Sequence, residues 1–222
     1  MRQIALLVSI TVFLLTTPTV QASTIIELPI EEDTYIEEKF PTVSPWNNRN
    51  LFLGTDHWYS KGKNRILLKP NVTSLQNQDI LPTDIEKVEL LLTEYEHEGS
   101  DSTAIIDAYV TNSPWSMFSV TWEQQPSIST KKDTTTISTT LGQKVINVTN
   151  AFIDIYKNLS IAEKGILLKI NAETEKAIIF WAHGCDIAPA PPICSGINDR
   201  PSFNVTIKSN TIPELCSLKT PS

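Results

Sequence analysis

The clearest pattern in the chain is alternation of apolar and polar residues with a period of two, the signature of strands buried on one face. Thr24–Ile30 and Asp33–Glu37 alternate in this way, and their glutamates fall largely on the polar positions. Leu51–Leu53, Arg65–Val72, Ile85–Glu96, Thr103–Val110, Val145–Val148, Gly165–Ile170, Ala177–Trp181 and Arg200–Ile207 are the further strand segments. The Gly99 turn between Ile85–Glu96 and Thr103–Val110 suits a hairpin. One stretch breaks the period. Thr149 or Asn150 can cap a helix reaching about Asn158, with Phe152, Ile155, Tyr156 and Leu159 on its inner stripe. Pro41–Asn50 and Ser127–Thr140 read as loops, the second because it is rich in serine and threonine and has little to bury. The prediction is an all-β fold: a two-sheet antiparallel jelly-roll β-sandwich with one short helix.

Alternation also sorts the charges. In Arg65–Val72, Arg65, Lys69 and Asn71 share the face opposite Ile66, Leu68 and Val72. The run Ile-Leu-Leu-Lys of residues 66–69 recurs at 166–169, where it turns Lys169 outward. If the two strands are neighbours, a basic track crosses one sheet face; if not, these are solubilising cations on an outer surface. The Asp56–Asn64 loop sets His57, Trp58 and Tyr59 beside Lys61 and Lys63. Flat rings stack on the apolar faces of pyranoses, and charged donors orient hydroxyls or carboxylates. The same rings would equally cap one end of a core. The candidate carbohydrate-binding residues are therefore Arg65, Lys69 and Lys169, with Trp58 and Tyr59 at the rim.

Val120–Pro126 reads VTWEQQP, a β-prone run stopped at its proline. It resembles the VTWNNQP signature of the DNRLRE-type domains, a family of secreted carbohydrate-binding modules that includes alginate binders. Four more segments fall in that family's order: DTYIEEKFP from Asp33, RILLKPNVTSL from Arg65, GILLKI from Gly165 and RPSFNVTI from Arg200. The resemblance implies a β-sandwich that binds a polysaccharide or cell-surface glycan without cleaving it, over residues 23–207. An extracellular structural or adhesive surface protein that uses the sandwich as a scaffold is the alternative reading, and a polysaccharide-cleaving enzyme is the third.

Residues 1–22 carry Arg2, an apolar run from Ile4 to Leu15, and small residues at Val20 and Ala22. That is the pattern of a secretory signal peptide, since the run is too short to span a bilayer. The expectation is a secreted protein without membrane insertion, ending in a flexible tail from Lys208 to Ser222. Eighteen basic against 25 acidic residues give a net charge of −7, which argues against nucleic acid as a partner. It leaves a local basic patch free to act, because screening confines each field to about 8 Å.

Three cysteines allow three pairings. Cys185 and Cys194 flank a proline-rich loop, and a disulfide closing it would contribute roughly 2–3 kcal/mol. This is the expected pair, with Cys216 left over. A carboxylate group at Glu31, Glu32 and Asp33 suits a calcium ion in principle, but charges guarding a strand edge account for it without one. Glu94, Glu96 and Glu98 lie on one strand face, an arrangement that supplies no second carboxylate across a sugar. No nucleophile elbow, zinc-protease motif, Walker loop or dinucleotide fingerprint occurs. No catalytic residue, metal or cofactor is therefore predicted, and the chain is read as a non-enzyme.

Overall fold

The computed structural model describes residues 23–48, 50–55, 62–99, 102–158, 164–171, 177–182 and 200–208. The signal segment, Trp58, Tyr59, all three cysteines and the tail beyond Lys208 lie outside the described residues. In chain order the elements are β1 (Thr24–Glu37), β2 (Asn50–Thr55), β3 (Lys63–Pro70), α1 (Thr73–Asn77), β4 (Ile85–Glu98) and β5 (Thr103–Val110). They continue with β6 (Asp133–Ser138), β7 (Gly142–Asn147), α2 (Thr149–Lys157), β8 (Ile166–Ile170), β9 (Ala177–Trp181) and β10 (Ser202–Ile207).

The all-β expectation holds, but the two separate sheets do not. All ten described strands belong to one hydrogen-bonded sheet, and β1, β10, β4, β9, β2 and β3 close on themselves as a six-stranded barrel. From β3 the sheet continues outward through β8, β5 and β6, and β7 hangs on β4. Two long strands cause the closure. β1 pairs with β10 over Thr24–Pro29 and with β3 from Ile30 onward, with an irregular register between Ile30 and Glu32. β4 pairs first with β10 and then, past a second irregularity between Glu94 and Glu96, with β9. Bulges of this kind bend and twist a strand, so each carries the sheet around a corner where a sandwich would leave a gap.

Alternation along the strands supplies the barrel core, in which Phe152, Phe180 and Phe203 are fully buried. Ala151, Phe152, Ile155 and Tyr156 of α2 pack into it. The Tyr156 hydroxyl donates to the Ile80 carbonyl at 2.6 Å.

Four local expectations are corrected. β4 pairs with β10, β7 and β9, and not with β5, so the Gly99 turn is a crossing between different parts of the sheet and not a hairpin. A second helix, α1, follows β3. Part of the Ser127–Thr140 loop is the strand β6, which needs only Asp133 and Ile137 buried because it pairs along β5. Finally, Val148 and not Thr149 or Asn150 occupies the N-cap of α2, with no side-chain cap of its own. The Thr149 hydroxyl instead accepts from the Val88 N–H at 2.9 Å. The first-turn donors of α2 go to Asp133 on β6, which accepts from the Ala151 N–H at 2.9 Å and the Asn150 side chain at 2.8 Å.

Candidate functional site

Ile36 of β1, Leu67 of β3 and Leu167 of β8 point away from the barrel core and, with Tyr109 of β5 packed beside them, form a second, smaller apolar cluster with Trp115 and Val120. The strands provide the floor, and the 111–128 segment lies over it, closed at its base by a Thr111–Ile128 bridge. Gly165 makes this possible. A Cβ there would come within 2.4 Å of the Leu68 carbonyl oxygen and 2.9 Å of the Trp115 ring, so only glycine lets the indole settle. The VTWEQQP run belongs to this cover and is not a strand. Its Thr121 hydroxyl accepts from the Gln124 N–H at 3.1 Å to make a turn.

The predicted cations stand on this face, but they divide into two situations. Lys69 is only 5% exposed. Its ammonium donates to the Trp115 carbonyl at 2.6 Å and to Glu32 at 3.1 Å, and lies 4.6 Å from the Trp115 ring. Glu32 also accepts from the Met117 N–H at 2.8 Å, so the Lys69–Glu32 pair rivets the covering segment to the sheet. Glu32 and Asp33 are thus drawn into the fold while Glu31 stays exposed, and no cluster of three metal-ligating side chains occurs among the described residues.

Arg65 and Lys169 lie at the margin of the cover and are half-buried. β3 and β8 are neighbours with Ile66 opposite Leu168, and one further step of that register sets Arg65 opposite Lys169. The Arg65 guanidinium sits 4.6 Å above the Trp122 ring and donates to Gln125 at 2.8 Å. The Lys169 ammonium lies 4.9 Å from the Tyr109 ring. In the next strand Asp107, opposite Lys169, is buried and accepts from Thr134 at 2.7 Å and pairs with Lys131 at 3.3 Å. The outcome is a strip across β3, β8 and β5 in which Arg65 and Lys169 each lie against a ring and Lys131 pairs with the buried Asp107 carboxylate. A strip of this composition suits a polymer of sugar rings bearing carboxylates: cations meet the charges and rings meet the apolar faces.

Sequence reasoning missed Tyr109, Lys131 and Trp122 as site residues. Tyr109 was within reach, because period-two alternation in β5 places it on the face of Asp107. The Lys131 placement depends on β6 pairing with β5 and leaves no local signal.

A family model described as carbohydrate-binding module family 96 matches residues 24–179. No curated protein sequence matches the chain. The family match covers β1 to β8 whole, ends inside β9 and leaves β10 outside. It agrees with the resemblance drawn from VTWEQQP on the class of module.

Proposed function

Because the chain belongs to carbohydrate-binding module family 96, we propose that it is a secreted, non-catalytic module that holds an acidic polysaccharide along the Arg65, Lys169 and Lys131 strip. Trp122 and Tyr109 supply the stacking surfaces, and Trp58 and Tyr59, in the connection from β2 to β3, are the candidate rim. Lys69 is assigned to the fold and not to the ligand, since its ammonium is occupied beneath Trp115. The observation that carries the reading is the register that brings Arg65 and Lys169 side by side, each against its own ring. A glycan carboxylate beside two cations gains charge-assisted hydrogen bonds that a neutral sugar lacks.

Affinity electrophoresis through gels containing alginate, polygalacturonate or neutral xylan tests this directly. The expected result is retardation by the polyuronates, weakened at high salt because the strip is partly exposed. Arg65→Ala combined with Lys169→Ala should weaken binding by about tenfold or more, the equivalent of losing about 1.4 kcal/mol. Equal retardation by neutral xylan would overturn the acidic ligand. No retardation by any glycan would overturn the binding role and favour a structural surface protein.

A further inference from the structure

The segment from Phe40 to Asn48, between β1 and β2, runs along the cover of the cationic face. Ser44 donates its hydroxyl to the Met117 carbonyl at 2.9 Å, and the Glu123 N–H donates to the Pro41 carbonyl at 3.0 Å. Farther along, the Asn48 side chain donates to the Tyr35 hydroxyl at 3.0 Å. The first two links join this loop to the distant 111–128 segment, so the two form one seam, and the third ties the loop to β1. At one end of that seam lies Trp122 over Arg65, next to the Pro41–Glu123 bond. At the other end Trp46 and Phe118 meet with ring centroids 5.5 Å apart at 54°. Both are exposed, by 48% and 60%.

We propose that Trp46 and Phe118 are a second carbohydrate contact, a platform that takes the apolar face of a pyranose from the same polymer that lies on the strip. This rests on the reading of the strip as a glycan site and extends it along the seam. Large rings left in water side by side are uncommon on a soluble protein and mark a binding surface. No charged residue occurs in 40–48 or 116–120. Neither stretch thus supplies a charged partner for a carboxylate or an anionic lipid headgroup, and the two rings take the uncharged face of a sugar ring. Asn47 and Ser119 lie in the same two stretches and are polar partners for sugar hydroxyls. A second copy of the chain fits poorly: two half-exposed rings offer on the order of 100 Å² each, against about 800 Å² per partner in a stable interface. The pinning of both loops supplies preorganisation, so little ordering is required on binding.

The test is equilibrium binding of uronate oligosaccharides of increasing length to wild type, Trp46→Ala/Phe118→Ala and Arg65→Ala, at low salt and at about 1 M, where the Debye length is about 3 Å. Because both rings are exposed, the double variant should melt at the wild-type temperature, and this is checked by circular dichroism. For long oligosaccharides its affinity should fall about tenfold or more at both salt concentrations, as for loss of an aromatic anchor. For the shortest oligosaccharides held by the strip it should be unchanged. The Arg65→Ala loss should shrink at high salt. Full affinity of the double variant for long chains would overturn the platform and leave the strip standing. Failure of wild type to bind any length would overturn both. Light scattering that finds a wild-type dimer and a monomeric double variant would assign the patch to self-association instead.

Discussion

The carboxylate of Asp133, at the start of β6, accepts from the backbone N–H of Ala151 in the first turn of α2 at 2.9 Å. A helix start has donors without intrahelical partners, and here a neighbouring strand supplies the acceptor that the helix's own cap residue lacks. Asp133→Ala should therefore lower the unfolding free energy by about 1–2 kcal/mol in urea titrations, the usual cost of losing a cap. Asp133→Asn, which keeps one acceptor oxygen, should recover part of it.

Lys69 and Arg65 stand on the same strand face but should respond oppositely to truncation. Removing the Lys69 side chain withdraws the buried partner of Glu32 and the Trp115 carbonyl, so Lys69→Ala should cost about 2–4 kcal/mol. Tryptophan fluorescence should shift to the red as the 111–128 cover loosens. Gly165→Ala should produce the same shift by lifting Trp115, at about 1–3 kcal/mol. Arg65→Ala should keep most of the wild-type stability and confine any spectral change to Trp122, whose ring it covers, while glycan binding weakens. If the Lys69→Ala protein kept its stability and lost only binding, the division of labour between the two cations would be wrong.

Glu94 makes stability depend on pH in the acidic range. Burial holds its carboxyl above the ordinary value of 4.5, and the opposing pull of Lys144 at 3.4 Å and His97 at 2.9 Å offsets this only in part. The folded state thus binds this proton more tightly than the unfolded state. Its contribution to stability is complete below pH 4.5 and is lost as pH rises through the raised folded value. Glu94→Gln should flatten the pH dependence of the denaturation midpoint in that window. Lys144→Met, which removes the largest offset, should extend the loss to higher pH.

Alternation made most strands legible because each has one face on a core and one face elsewhere. It could not distinguish a sandwich from a barrel, since closure depends on which edges β1 and β4 pair with after their bulges. β6 escaped because a threonine-rich edge strand needs few apolar residues: Asp133 and Ile137 are its buried positions. The repeated Ile-Leu-Leu-Lys correctly hinted that β3 and β8 are neighbours, and with that the adjacency of Arg65 and Lys169. The burial of Lys69 was not readable locally, because Trp115 reaches it from a segment distant in sequence. Trp46 and Phe118 were passed over for a related reason. Each sits in a polar loop, and only folding brings the two rings together.

β10 fills the slot between β1 and β4, although all of β5 to β9 intervenes in the chain before it is made. At synthesis rates of about 5–20 residues per second, Thr24–Pro29 leaves the ribosome on the order of ten seconds or more before Ser202–Ile207. Throughout that delay the nascent half-strand is a bare template for any extended neighbour. Its outward positions include the apolar Ile25, but beside it stand Glu27, a like-charge repeller, and Pro29, which has no N–H to offer. The newborn chain thus carries its own deterrent against joining a sister chain on the same polysome.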